Sequence, residues 1–206
     1  KEGIFMDLTE HIRKVQATMA QAAANAGRDP GEITLCAATK VQTDDTIRAA
    51  IAAGVPVCGE NRVQELTAHL EHNAYEGARV HFIGHLQTNK VKQVVGKVEL
   101  IHSVDSLHLL QAINNQADKL GLIQDFLLEV NIAGEESKGG CTPELAWELA
   151  RQSAQLDHVR FRGLMAIPPV STVPGENRPW FRAMHQLFVD MREKMSDNQG
   201  DITYLS

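Results

Sequence analysis

The sequence predicts an α/β fold in which parallel strands alternate with helices, a TIM (β/α)8 barrel whose last strand lies outside these 206 residues. Three observations carry that expectation. Residues 33–40 read ITLCAATK, a small, apolar, β-forming run that ends in a lysine, as suits a strand buried on both faces of a parallel sheet. Turn residues then recur at intervals that separate seven strand-like runs by helical stretches, with no series of hairpin signals. Polar residues also collect just after the strand-like runs, where parallel barrels place their chemistry. An open doubly wound sheet is the competing architecture, but no Gly-rich phosphate loop follows the first strand. A barrel usually needs roughly 250 residues, so one helix and one strand are expected to be missing after Ser206.

Residues 1–5 precede Met6 and are read as leader or added residues. Over 7–26, Leu8, Ile12, Val15, Met19 and Ala22 step by four and three, the stripe of an amphipathic helix, with Asp7 as its cap and Gly27 and Pro30 as its stop. The strand ending at Lys40 follows. Residues 44–53 form a helix closed by Gly54, and 55–59 a strand. Residues 61–72 form a helix with Val63, Leu66 and Leu70 inward, 80–84 a strand, and 89–95 a helix. Residues 100–104 form a strand and 106–120 a helix with Leu107, Leu110 and Ile113 on one side. Residues 126–132 form a strand. Thr142 and Pro143 give a cap and a first-turn proline for a helix to about Leu156. Residues 161–167 form a strand stopped by Pro168 and Pro169, 179–195 a helix, and 202–206 the start of a further strand.

The chain is long enough for one domain, 1–206, with a substantial core. Its 43% hydrophobic and 22% charged residues are ordinary for a soluble globular protein. No apolar run could span a membrane, and no secretory pattern opens the chain. A net charge of −6 gives no broad electrostatic case for nucleic acid. Cys36, Cys58 and Cys141 are scattered and odd in number, so neither a disulfide framework nor a zinc site is expected. Cys36 and Cys58 read as buried packing residues, and the nine histidines show no ligand spacing. A reducing cytoplasm is the expected compartment, and a monomer the expected state.

A lysine at a strand end that is partly screened from water loses its proton readily enough to form an imine with an aldehyde. That makes Lys40 a candidate to hold pyridoxal 5′-phosphate (PLP). The other strand ends carry Gly59-Glu60-Asn61, Gly84-His85-Leu86-Gln87, Asn131 with the Glu136-Ser137-Lys138-Gly139-Gly140 loop, Met165-Ala166-Ile167-Pro168, and Ser206. His85 is a candidate pocket residue. Lys138, in a Gly-rich loop, is a candidate second amine for PLP. His81 reads as a packed structural histidine. Glu60 and Arg62 would orient neighbours or pair with each other, and Trp147 and Trp180 read as outer-layer packing.

ITLCAATK, CGENRVQEL, HFIGHLQTNK, ESKGG and RGLMAIP together resemble the PLP homeostasis protein family, single-domain PLP-binding proteins related to the barrel half of alanine racemase. The resemblance runs from about Met6 to Ser206. HFIGHLQTNK is its most specific block, and Val80 stands where the family usually has Trp or Phe. The resemblance implies that Lys40 matches the lysine bearing PLP as a Schiff base, Asn61 the asparagine beside the cofactor ring, and Ser206 a serine on the phosphate, with Met165 on the pocket floor. It also implies a further segment with an Arg-Ile-Gly-Thr run, which supplies more phosphate donors and an arginine facing the pyridine nitrogen. None of that run is in this sequence, so the phosphate site is expected to be incomplete. Such an arginine would keep the ring nitrogen unprotonated, which suits holding PLP better than carbanion chemistry.

Two function classes follow. A PLP-binding homeostasis protein would store, buffer or hand PLP to apo-enzyme clients without turnover. A PLP-dependent amino-acid racemase of the same barrel type would need a second base opposite the lysine. The only tyrosines are Tyr75 and Tyr204, neither read as placed for that role, and no second domain would exclude water. The holding role is therefore the expectation. A third class, a cofactor-free barrel whose polar loops bind a protein, is disfavoured by the resemblance.

Overall fold

The computed structural model describes residues 2–195 and 201–206, with side chains from residue 7 onward. The chain forms two compact units, Lys1–His81 and Phe82–Ser206.

The first unit opens with helix α1 (Glu2–Asn25). It begins ahead of Asp7, so Asp7 lies inside the helix rather than capping it, and its backbone carbonyl is 2.8 Å from His11 Nδ1. The buried stripe is Ile12 and Ala23, flanked by half-buried Leu8 and Met19. Val15 and Ala22 face out, because the helical repeat carries them past the edge of the stripe. A 3-10 turn, Pro30–Glu32, precedes strand β1 (Cys36–Ala38). The strand is shorter and wetter than ITLCAATK suggested. Ile33 is exposed, Cys36 and Ala37 are half-buried, and Ala38 and Lys40 are exposed. Its ladder runs to strand β2 (Val57–Glu60), with Cys36 opposite Val57 and Ala38 opposite Gly59. Between them lies helix α2 (Asp44–Ala52), whose N-cap is Thr43, its Oγ1 accepting from Thr46 N. Helix α3 (Val63–Glu71) buries Val63 and Leu66 and leads to strand β3 (Arg79–Phe82). The strand order in this unit is β1-β2-β3.

In the second unit, the helix expected over 89–95 is a 3-10 stretch, Thr88–Gln93. Six residues are too few to repay α-helical nucleation, and the i, i+3 bonds close the connection instead. Strand β4 (Leu100–Val104) is buried along its whole length. Helix α4 (Leu107–Leu120) is capped by Ser106 and stopped by Gly121 at φ +65°. Strand β5 (Gln124–Glu129) ends earlier than expected, because Asn131 leaves the ladder to tie the following loop. Helix α5 (Pro143–Ser153) has the expected Thr142 cap, with Leu145 N donating to Thr142 Oγ1 at 3.2 Å. Strand β6 (Val159–Met165), helix α6 (Arg178–Lys194) and strand β7 (Tyr204–Leu205) complete the unit. Strand order is β4-β5-β6-β7, and the described pairings of β4 with β5, β5 with β6, and β6 with β7 are parallel. Phe126, Leu128, Phe161 and Leu164 are buried in the strands, as are Leu110, Ile113 and Leu149 in the helices. Trp147 is half-buried and lies 5.9 Å beneath Lys194 Nζ, and Trp180 is half-buried too, as outer-layer packing requires.

Asp125 ties three strands of this unit together. It accepts from Arg160 Nε at 2.7 Å and Arg162 Nη1 at 3.0 Å, while Arg162 donates to Asp201 O at 2.9 Å and lies 5.4 Å over the Tyr204 ring. Shared bidentate guanidinium contacts hold such a register better than isolated pairs do. Among the described residues no helix is long and apolar enough to cross a membrane, and no group of His, Cys, Asp and Glu is arranged to hold a metal ion.

Candidate functional site

Lys40 lies at the corner of a tight turn. Gln42 N donates back to Thr39 O at 3.1 Å, and the third residue of the turn, Val41, has φ +56°. A β-branched residue rarely takes that conformation, and its presence directly after the lysine is the backbone strain that functional turns carry. The turn is held from α3, where Glu65 Oε2 accepts from Val41 N at 2.9 Å. Lys40 is exposed rather than screened, since only β2 pairs with this short strand among the described residues. Its amine is thus presented to solvent on an anchored backbone.

Two residues beyond the paired Ala38 and Gly59 stand Lys40 and Asn61, so both sit at the C-terminal ends of neighbouring parallel strands. Asn61 is half-buried, and its Oδ1 is buried with no hydrogen-bond partner. An amide oxygen left that way carries a desolvation penalty that a donor from a ligand or water would relieve.

Behind the turn is a polar cluster that sequence reasoning did not find. Glu60 is 0% exposed, and its Oε1 accepts from Thr39 Oγ1 at 2.6 Å and Tyr75 OH at 2.8 Å. His69 Nε2 lies 3.9 Å from the same oxygen, and His69 Nδ1 lies 2.6 Å from Asp44 Oδ1. Asp44 also meets His72 Nδ1 at 2.7 Å, and the hydrogen bond from His69 leads the effects that lower its pKa. Burial, then the Glu60 hydrogen bond, pushes the Tyr75 phenol far above its ordinary value, so it remains a donor. Glu60 does not pair with Arg62, as had been one expectation; Arg62 meets Glu65 at 3.4 Å. A glutamate inside the otherwise apolar VCGE strand was the available signal, because strand alternation turns it onto the face opposite its neighbours Gly59 and Asn61.

His81 is buried on β3, and burial, assisted by Arg79, lowers its pKa to about 4. It is a neutral packed histidine, as expected. Burial likewise raises the thiols, Cys36 to about 11 and Cys58 to about 12.

In the second unit, Ser206 is held to β6 by both backbone groups. Its N donates to Leu164 O at 2.9 Å, and Ala166 N donates to its carbonyl at 3.1 Å. Its exposed side chain meets a buried imidazole, with His102 Nδ1 3.1 Å from Ser206 Oγ. Met165 packs in a buried cluster with Leu100 and Leu127, against Tyr204. His85 is exposed, and burial, then Asp105, raises the pKa of half-buried Glu129 nearby. Lys138 is half-buried in the loop after β5. Asn131 pins that loop through Nδ2 to Glu135 O at 2.8 Å, and Lys138 N donates to Glu135 O at 3.1 Å. The loop closes on Gly140 at φ +101°, where an added Cβ would lie 2.7 Å from Asn131 N.

With this geometry in hand, comparison with known proteins places the fold. Residues 11–206 match the model of the alanine racemase N-terminal domain. Alanine racemase from Clostridium difficile 630 aligns at a TM-score of 0.69 and 13% identity, over 84% of this chain and 45% of that one, which is a likeness of fold. The chain belongs to the alanine racemase N-terminal-domain family and, within it, to the pyridoxal phosphate homeostasis proteins. The protein of that name from Aquifex aeolicus is 41% identical over 182 residues, covering 88% of this chain and 80% of its own. Its Pseudomonas aeruginosa counterpart is 36% identical over 184 residues, covering 89% and 80%. PipY of Synechococcus elongatus PCC7942, solved with PLP bound, aligns at a TM-score of 0.76 and 29% identity over 91% of this chain and 86% of that one.

Proposed function

We propose that this protein binds PLP and serves intracellular PLP homeostasis, carrying the cofactor covalently on Lys40 without turning over a substrate. The observation that carries this reading is the pairing of an exposed lysine on an anchored, strained turn with Asn61 alongside, whose buried Oδ1 lacks a partner. PLP bound in PipY and the names of the curated relatives support it. Each unit taken by itself carries groups that fit the cofactor: in the first, an amine with an amide beside it for the aldehyde end, and in the second, a hydroxyl already held in place by an imidazole, suited to a phosphate.

When bound, PLP supplies an aldehyde that condenses with an amine with loss of water. Lys40 supplies that amine, and the Thr39–Gln42 turn fixes where its side chain begins. Asn61 is positioned to receive a donor at Oδ1. Ser206 supplies a hydroxyl to a phosphate oxygen, the kind of neutral donor a dianion accepts alongside backbone N–H groups. Met165 contributes an apolar floor. His85 and Lys138 are secondary candidates, Lys138 as a second amine able to take PLP from solvent or pass it on.

A holding role is favoured over racemisation because, among the described residues, neither tyrosine is free to act as a second base. The Tyr75 hydroxyl is buried and committed to Glu60, and Tyr204 is stacked under Arg162. Apo-PLP enzymes are the clients we propose, with the protein acting as a monomer.

The test is an absorbance titration with PLP. Wild-type protein is expected to gain a near-ultraviolet to violet band that Lys40→Ala lacks. No band in the wild type would contradict the reading.

A further inference from the structure

His102 lies inside the run LIHSV of β4 and has no part in the site residues named above. It is 4% exposed, between Ile101 and Ser103, both fully buried. Its Nδ1 nevertheless meets the exposed Ser206 Oγ at 3.1 Å, across 104 positions of the chain. A buried imidazole on a strand that is buried along its whole length has almost no freedom, whereas an exposed serine hydroxyl rotates among three staggered wells. The contact therefore transfers the rigidity of β4 to a side chain at the end of β7.

The pair has two arrangements. Either the serine O–H donates to Nδ1, or Nδ1–H donates to the serine oxygen. In the first the hydroxyl proton is spent inside the protein. In the second Oγ is occupied as an acceptor, and its own proton is directed outward. Only the second suits an anion in front of Ser206.

We propose that His102 is a positioning residue for a phosphate monoester, holding Ser206 Oγ as an acceptor so that the hydroxyl proton is offered to a phosphate oxygen. This deepens the PLP reading and rests on it. It assigns to His102 part of the preference for the phosphorylated over the unphosphorylated form of the cofactor. His102 touches no ligand and acts through Ser206.

The test compares PLP with unphosphorylated pyridoxal, both of which can react with Lys40 but only one of which carries the phosphate. Affinities are measured by absorbance for wild type, Ser206→Ala, His102→Gln and His102→Asn. The Asn amide nitrogen falls near the place of Nδ1, whereas the Gln amide nitrogen falls near Nε2. His102→Gln is expected to weaken PLP about ten- to a hundredfold, the loss of one hydrogen bond to a charged group, with pyridoxal unchanged. It should match Ser206→Ala, and the double variant should be no worse than either single one. His102→Asn should restore the wild-type ratio. A His102→Gln protein that keeps the wild-type PLP-to-pyridoxal ratio would overturn the inference while leaving the PLP reading intact. A wild type that binds neither compound would instead overturn the PLP reading, and the inference with it. A second measurement needs no variant: with PLP bound to the wild type, the His102 Nδ1 nitrogen resonance should be of the protonated type. A PLP-bound protein whose Nδ1 resonance is of the unprotonated type would also overturn the inference.

Discussion

Thr39 Oγ1 donates to Glu60 Oε1 at 2.6 Å, joining the residue that follows β1 and precedes the lysine to the end of β2 through a carboxylate that is wholly out of water. Tyr75 closes on the same oxygen from the α3–β3 connection. The lysine turn thus rests on a buried polar cluster, and its position depends on groups that face away from Asn61.

That dependence can be measured. Glu60→Ala strands the Thr39 and Tyr75 hydroxyls in a buried site and is expected to cost roughly 3 kcal/mol in denaturant unfolding. Tyr75→Phe removes one donor and should cost about 1–2 kcal/mol. If both variants unfold at the wild-type midpoint, the cluster does not hold the turn.

His81 predicts an acid weakness. Its folded pKa, about 4, lies below the ordinary 6.5, because burial and Arg79 disfavour the charged ring. The unfolded chain then binds the extra proton first. Stability on this account is full above pH 6.5 and falls as the pH drops from 6.5 towards 4, by up to about 3 kcal/mol. His81→Gln cannot titrate and should flatten that part of the profile. An unchanged slope would remove His81 as its cause.

Gly163 predicts a steric limit in the RGLMAIP strand. It sits at φ +145°, and a Cβ there would fall 1.9 Å from the Tyr204 carbonyl oxygen. Gly163→Ala must displace β7 and should cost at least about 3 kcal/mol. Gly121 also has positive φ but nothing within 4 Å of an added Cβ. Gly121→Ala should therefore cost only about 1–2 kcal/mol. Equal thermal shifts for the two would contradict this account of β6.

The seven strands of the described residues could be placed from the sequence, though with ends off by a few residues, because glycines, prolines and caps separate them: Thr142 and Ser106 cap their helices, and Gly27 and Gly121 follow theirs. The misreadings have local causes. Residues 33–35 have strand composition but pair with nothing in the described ladder, and the 88–93 stretch is too short to nucleate an α-helix. Motifs single out Lys40, Asn61 and Ser206 as site candidates, and Glu60 as a residue that orients its neighbours. The partners of Glu60 and the contacts of Tyr75, His102 and Asp125 were not legible, since each acts through a partner 15 or more positions away, and no spacing rule connects such pairs.

The most direct test of the central claim is borohydride reduction of the PLP-loaded protein followed by peptide mass mapping. The account predicts that the violet band disappears and that a reduced pyridoxyl group is found on the peptide containing Lys40. An adduct confined to Lys138 or spread over surface lysines, with Lys40 unmodified, would contradict it.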